Sequence, residues 1–251
     1  MGKIIAVVNQ KGGVGKTTSA VNLTAALHDL GLKVLLCDFD PQANASSGFG
    51  VDKRKIKHSV YDVIIGKADA ADAVVQTPYG DVLPSHPDLA GAGVELMSMD
   101  NSNQRLADAL KTVRDRYDLI LIDCPPSLEM LTLNGLSAAD GILVPVQCEY
   151  YALEGLSDLM STLRAVKRRI NPRLEIFGVA LTMFDGRTNF STQVAQEVRR
   201  HFPGKVFSSV IPRNVRLAEA PSHGLPVTAY DKSSRGAKAY QAMAEEIKAK
   251  L

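Results

Sequence analysis

Two lysines and three aspartates carry the chemistry that this sequence can offer. Lys11 and Lys16 bracket a glycine-rich stretch, Asn9-Gln10-Lys11-Gly12-Gly13-Val14-Gly15-Lys16-Thr17-Thr18. A glycine loop ending in Gly-Lys-Thr exposes backbone N–H groups, and a following helix adds the positive end of its dipole. The lysine supplies a full charge, so the stretch reads as a cradle for phosphate. Asp38 and Asp40 follow the apolar run Lys33–Cys37, and Asp123 closes the run Leu119–Ile122. Carboxylates beside a phosphate cradle would repel the ligand unless a cation or a water stands between them. Magnesium coordination and water positioning are therefore their chemical uses. A helix cap or an Asx turn is the bland alternative for the Asp38–Asp40 pair.

These residues must be positioned by strands. Ile4–Val8, Lys33–Cys37, Leu119–Asp123, Gly141–Val146, Ile176–Leu181 and Phe207–Ile211 are runs of strand length, and Asp81–Ser85 is a candidate short strand. Continuous apolar strands are buried on both faces, as in a parallel sheet covered by helices. Between them lie helical patterns. The first starts near Thr18, carries Val21, Leu23, Leu27 and Leu30 on its apolar side and stops at Gly31. Ser59 caps a short helix with Val60, Val63 and Ile64, and residues 103–116 follow with Leu106, Leu110 and Val113. A long helix has Leu153, Leu156, Met160, Leu163, Val166 and Ile170 on one stripe. Phe190, Val194, Val198 and Phe202 mark the next, and Ala237, Tyr240, Ala244, Ile247 and Leu251 the last. The pattern is α/β: a single doubly wound, mainly parallel sheet with helices on both faces, one domain over residues 1–251.

The bulk numbers exclude several classes. At 251 residues, 45% hydrophobic and 22% charged, the composition is that of an ordinary globular chain. No apolar run reaches the ~18 residues of a membrane span, and the first strand begins too early for a secretory leader, so a cytoplasmic protein is expected. Cys37, Cys124 and Cys148 are too few and too scattered for a disulfide framework and read as small core residues. The net charge of +2 conceals an asymmetry: residues 1–163 carry −7 and residues 164–251 carry +9. A basic C-terminal third suits either a polyanion partner or a solvated surface.

The usual spacing Gly-x4-Gly-Lys would place a glycine at position 10, where Gln10 stands, and Lys11 is an additional cation within the loop. Lys-Gly-Gly-Val-Gly-Lys-Thr-Thr resembles the deviant Walker A motif of the ParA/MinD ATPases. Asp40-Pro-Gln-Ala-Asn resembles that family's switch I, and Asp123-Cys-Pro-Pro-Ser its switch II. The resemblance spans essentially the whole chain and is nearest to the chromosomal ParA (Soj) branch. It implies ATP/ADP and Mg²⁺ as cofactors. The phosphates would be held by Lys11, Gly12, Gly13, Val14, Gly15, Lys16, Thr17 and Thr18, and the metal by Thr17 and Asp123. Asp40 would orient the attacking water. Lys11 would cross a homodimer interface to the partner's phosphates, and Gln147–Glu154 would face that partner. Pro212 and Asn214 would bind adenine. Arg187 and Arg216, with Lys232 and Arg235 following, would bind double-stranded DNA without sequence preference. A ParB-type centromere-binding protein would stimulate hydrolysis, with the protein associated with the nucleoid. The last helix lacks the large apolar residues and basic face of the MinD membrane anchor, so no membrane partner is expected.

Overall fold

The computed structural model describes residues 2–127, 129–149 and 152–251, with backbone alone over 152–158. Seven strands form one sheet: β1 (Lys3–Val7), β2 (Val34–Asp38), β3 (Val75–Thr77), β4 (Gly80–Leu83), β5 (Leu119–Asp123), β6 (Gly141–Gln147) and β7 (Glu175–Thr182). Their order is β3-β4-β2-β5-β1-β6-β7, and β3 against β4 is the one antiparallel pair. The chain leaves β1 towards one edge and leaves β5 towards the other. Such reversals open a crevice beyond the carboxyl ends of the central strands.

Helices α1 (Lys16–Asp29), α2 (Asn44–Gly48), α3 (Val60–Ile64), α4 (Ala70–Ala73), α5 (Ala92–Met97) and α6 (Arg105–Lys111) occupy the first half. α7 (Met130–Ala138), α8 (Ala152–Arg169), α9 (Asn189–His201), α10 (Val215–Glu219), α11 (Val227–Tyr230) and α12 (Arg235–Lys248) complete the set. Strand alternation divides the core in two. Ile4, Ala6, Ile120 and Ile122 pack under α3 to α9, while Ile5, Val7, Leu119 and Leu121 pack under α1, α2, α11 and α12. Each large aliphatic side chain so buried stabilises the fold by about 1.5–3 kcal/mol relative to exposure. α1 is enclosed on nearly every side, Ser19 through Leu27 all being buried. Its small residues allow α12 to lie against it, where Ser19 Oγ and Tyr240 Oη meet at 3.1 Å.

The expected strands and helices stand where the sequence places them except at Phe207–Ile211, and the structure adds helices α2, α4, α5, α7, α10 and α11. β3 is an additional short strand, too brief to register as an apolar run. Phe207–Ile211 is not a strand. Single bridges at Val206 and Pro212 touch β7 and its extension, and between them the Ser208 and Ser209 N–H groups donate to the Glu246 carboxylate. Those donors are lost to a ladder. Phe207 instead turns its ring over β7, and a Cβ on Gly178 would lie 2.3 Å from that ring, which leaves room there for glycine alone. Phe190 and Leu251 are 41% and 42% exposed. Both lie at helix ends, where the stripe runs past the core. Leu153 and Leu156 of the α8 stripe lie outside the described side chains.

Candidate functional site

The loop after β1 is tied down from both sides. Asn9, almost buried, donates from Nδ2 to the Pro145 carbonyl at 2.7 Å and accepts from the Lys11 N–H at 3.0 Å. Gln10 reaches α8, donating to Thr162 Oγ1 at 3.3 Å. Thr182, at the end of β7, donates to the Val14 carbonyl at 2.8 Å. The loop's curvature needs Gly13 at φ 74° and Gly15 at φ 88°, left-handed values that a β-carbon disfavours. Gly15 precedes α1 without any side chain to cap it, so the first helical N–H groups face the loop's hollow. That geometry suits an anion.

Lys16 is 8% exposed, and its Nζ donates to the Lys11 carbonyl at 3.2 Å. Burial depresses its pKa, while the nearby Asp123 and Asp40 carboxylates oppose that shift. The register aligns Asp38 of β2 with Asp123 of β5, and Asp123 with Val7 of β1. The sheet itself therefore sets both carboxylates beside the loop. Both are completely buried.

The two differ in how they are satisfied. Asp38 Oδ2 accepts from the Ser46 N–H and Ser46 Oγ, each at 2.7 Å. Burial still raises its pKa to about 6. Neither oxygen of Asp123 makes a hydrogen bond of good geometry among the described residues, although the Thr17 hydroxyl is near enough to act on it. Desolvation, then the Asp38 charge, push its pKa well up; the Thr17 hydroxyl and the Lys16 charge favour the ionised form. Buried polar atoms are rarely left unpaired, so this carboxylate is set up for something that a ligand brings. Among the described residues no three His, Cys, Asp or Glu side chains gather around one point. That arrangement fits magnesium, which takes one or two protein ligands and completes its shell with water and phosphate oxygens.

Asp40 is half-buried at the mouth of the site. Its Oδ1 accepts from the Gln42 N–H at 3.0 Å, and its carbonyl accepts from Ser85 Oγ at 2.7 Å. The Asx turn is thus real, and it fixes the side chain near Lys16 without using the second oxygen. On the other side of the loop, Gly15, Thr18, Thr182, Pro212, Asn214 and Tyr240 line a cavity of about 240 Å³. Asn214 also caps α10, its Oδ1 accepting from the Arg216 N–H at 2.9 Å.

The basic residues form a rim beyond this cavity, and three of its arginines are engaged. Arg187 holds both oxygens of Asp185, at 2.9 and 2.7 Å. Arg213 donates to Glu149 at 3.4 Å, and Arg216 reaches Glu219 at 2.8 Å and Asp231 at 3.3 Å. Lys232 and Arg235 are exposed beside Asp231. Of the segment Gln147–Glu154, Gln147, Cys148 and Glu149 are described; Tyr150 and Tyr151 and the side chains from 152 to 154 lie outside the described residues.

Asn9, Ser46, Ser85 and Thr182 support the site and were not singled out from sequence. Only Thr182 carried a signal, a polar residue ending an apolar strand. The contacts of the others depend on segments far away in the chain.

A family model described as an AAA domain, AAA_31, matches residues 2–176. The chain is 53% identical over 251 residues to the sporulation initiation inhibitor protein Soj of Bacillus subtilis, covering 99% of each chain. It is 50% identical over 249 residues to the chromosome partitioning protein ParA of Caulobacter vibrioides, covering 98% of this chain and 93% of that one. Among solved structures, it resembles a cobyrinic acid a,c-diamide synthase from Mycobacterium smegmatis with bound ADP and magnesium. There the TM-score is 0.85 at 37% identity, with 98% of this chain and 93% of that one covered. With these identities over nearly its full length, the chain belongs to the AAA_31 family and, within it, to the Soj/ParA chromosome-partitioning ATPases.

Proposed function

We propose that the protein is a nucleotide-gated DNA-binding ATPase that partitions chromosomal or plasmid DNA. The observation that carries this reading is the buried Asp123 carboxylate, which lacks a hydrogen bond of good geometry, beside Lys16 and Thr17. Thr17 and Asp123 would hold Mg²⁺, whose charge offsets that of the nucleotide phosphates. Residues Lys11 to Thr18 wrap the phosphates, and Lys16 exchanges the Lys11 carbonyl for a phosphate oxygen. Pro212 and Asn214 bound the cavity that receives adenine. Asp40, held by its turn, orients a water with its second oxygen and leaves the bond-breaking to electrostatic stabilisation around it.

In this reading residues 1–251 act as one ATPase domain. Two ATP-bound copies pair face to face, each Lys11 reaching the other's phosphates. Pairing sets two rims of Arg187, Arg216, Lys232 and Arg235 on one duplex. Contacts to phosphate multiply when two patches bind together, so DNA affinity follows ATP. A ParB-type protein accelerates hydrolysis, the dimer separates and DNA is released. The protein would then reside in the cytoplasm, on the nucleoid. No helix among the described residues is long and apolar enough to cross a membrane.

DNA co-sedimentation of wild type, Lys11→Ala and Asp40→Ala with ATP, ADP and no nucleotide, at two salt concentrations, tests the cycle. Asp40→Ala should bind DNA with ATP and fail to turn over; Lys11→Ala should bind ATP yet remain monomeric. Equal DNA binding in all three nucleotide states would overturn the coupling. Turnover that requires an added small-molecule acid, with no response to DNA, would favour a ligase of the kind that the Mycobacterium smegmatis neighbour is named for.

A further inference from the structure

Arg187, Arg213 and Arg216 of the rim have carboxylate partners; a second group of cations, at the opposite end of β7, does not. Arg164 and Lys167 of α8 and Lys205 line one groove of about 330 Å³ together with Met160, Leu163, Leu174, Glu175 and Ile176. All three cations are exposed. None forms an ion pair among the described residues, and Arg164 donates only to the Met160 carbonyl of its own helix, at 3.2 Å. Cations in the last turn of a helix are favoured by its dipole. That accounts for Lys167 and for the neighbouring Arg168 and Arg169, but not for Lys205 on another segment or for Arg164 further back.

Two further features converge on the same place. The floor of the groove is apolar, with Leu163 and Leu174 beneath partly exposed Met160 and Ile176. The edge of the sheet beside it is open. From Val179 onward β7 is bonded on its outer side by the segment after Lys205, with Val179 N–H donating to the Lys205 carbonyl at 2.9 Å and Ile211 N–H to Leu181 at 2.8 Å. Glu175, Ile176 and Gly178 pair with β6, a register irregularity leaves Phe177 without a partner there, and among the described residues no other segment bonds to this stretch of backbone. On the opposite face of this strand end, Lys3 stands over the Phe177 ring at 5.1 Å and Lys250 over Phe207 at 4.3 Å.

We propose that this groove at the foot of β7 is a docking site for an extended acidic peptide of a partner protein, which adds to the open strand edge. Main-chain bonds to residues 175–177 would give it direction. An apolar side chain would enter between α8 and β7, and carboxylates beside it would meet Arg164, Lys167 and Lys205. A duplex would use the charges but neither the apolar floor nor the strand edge, and for that reason a peptide is favoured over DNA. The groove lies at the amino ends of the parallel strands and the nucleotide loop at their carboxyl ends. A partner held here would leave the ATP site clear.

The test uses the full chain and a fluorescein-labelled peptide of alternating glutamate and valine, followed by fluorescence anisotropy. The same peptide with lysine for glutamate, and a labelled DNA duplex, serve as comparisons. The acidic peptide should bind wild type. Combined Arg164→Glu, Lys167→Glu and Lys205→Glu should weaken it by at least about tenfold, while ATP binding reports that the variant is folded. Lys57→Glu, a reversal on a distant loop, should leave it unchanged. Amide exchange of Ile176 and Phe177 should slow when the peptide is bound. Failure of the acidic peptide to bind, equal binding by the reversed variant, or unchanged exchange at the strand edge would each overturn the proposal. A reversal that abolishes duplex binding and spares the peptide would identify the patch as a nucleic-acid surface instead.

Discussion

The two charged regions of the site handle charge in opposite ways. Around the loop, Asp123 is buried with no hydrogen bond of good geometry, and Lys16 is buried against a backbone carbonyl. On the rim, Arg187 and Arg216 are exposed and bound to neighbouring carboxylates. A buried carboxyl without a hydrogen-bond partner costs about 1–3 kcal/mol, whereas an exposed pair contributes about 0–1 kcal/mol. The first region is therefore under tension until a ligand arrives. The second can exchange a carboxylate for a phosphate at little expense. Under the proposed function, selectivity would reside in the loop and reversibility on the rim.

Mutations can break this contrast. Lys16→Ala should have the largest effect, lowering ATP affinity by at least about a hundredfold in titration calorimetry, since it removes charge-assisted bonds in a dry site. Retained affinity would mean that the loop amides suffice. Asp123→Asn should abolish Mg²⁺-dependent turnover yet raise the stability of the nucleotide-free protein by about 1–3 kcal/mol in urea unfolding, because the desolvated charge is gone. A loss of stability would show that this carboxylate is not a stored cost. Arg216→Ala should change stability by less than about 1 kcal/mol and lower the salt slope of DNA binding by about 1. A large loss of stability would turn the rim into a structural ion-pair network.

A further, pH-dependent effect concerns Asp38. Its folded pKa of about 6 lies above the ordinary 3.8, so the folded state holds the proton more tightly. The associated stability is present below the ordinary value and is lost as pH rises through about 6. Thermal unfolding from pH 4 to 6 should show this decline in wild type and a flatter profile in Asp38→Asn. Parallel profiles would assign the slope to other groups.

Sequence made the loop, the three aspartates and the sheet class legible because each is written in contiguous residues. Lys11–Thr18 is one run, and Leu119–Asp123 is a strand whose burial on both faces leaves few alternatives. Capping by Ser59 was readable for the same reason, Asp62 standing three residues on and accepting from the Ser59 N–H at 2.9 Å. Legibility failed where distant segments decide. Phe207–Ile211 has strand composition, but Glu246 takes two of its donors. The hydrogen bonds of Asp38 depend on Ser46, and the pairing of the rim arginines depends on turns that the composition of the segment does not reveal. The basic C-terminal third, read as one property, is two surfaces at opposite ends of β7.

The ties on the loop bear on timing. Asn9 holds Pro145 and the Lys11 amide, Gln10 holds Thr162, and Thr182 holds Val14. A loop already shaped gives up little conformational freedom when its ligand arrives. Nucleotide capture then needs no folding step, and association should run at an encounter-limited rate. Under the proposed cycle, its clock would then be set later, by pairing of protomers and by the partner that ends it.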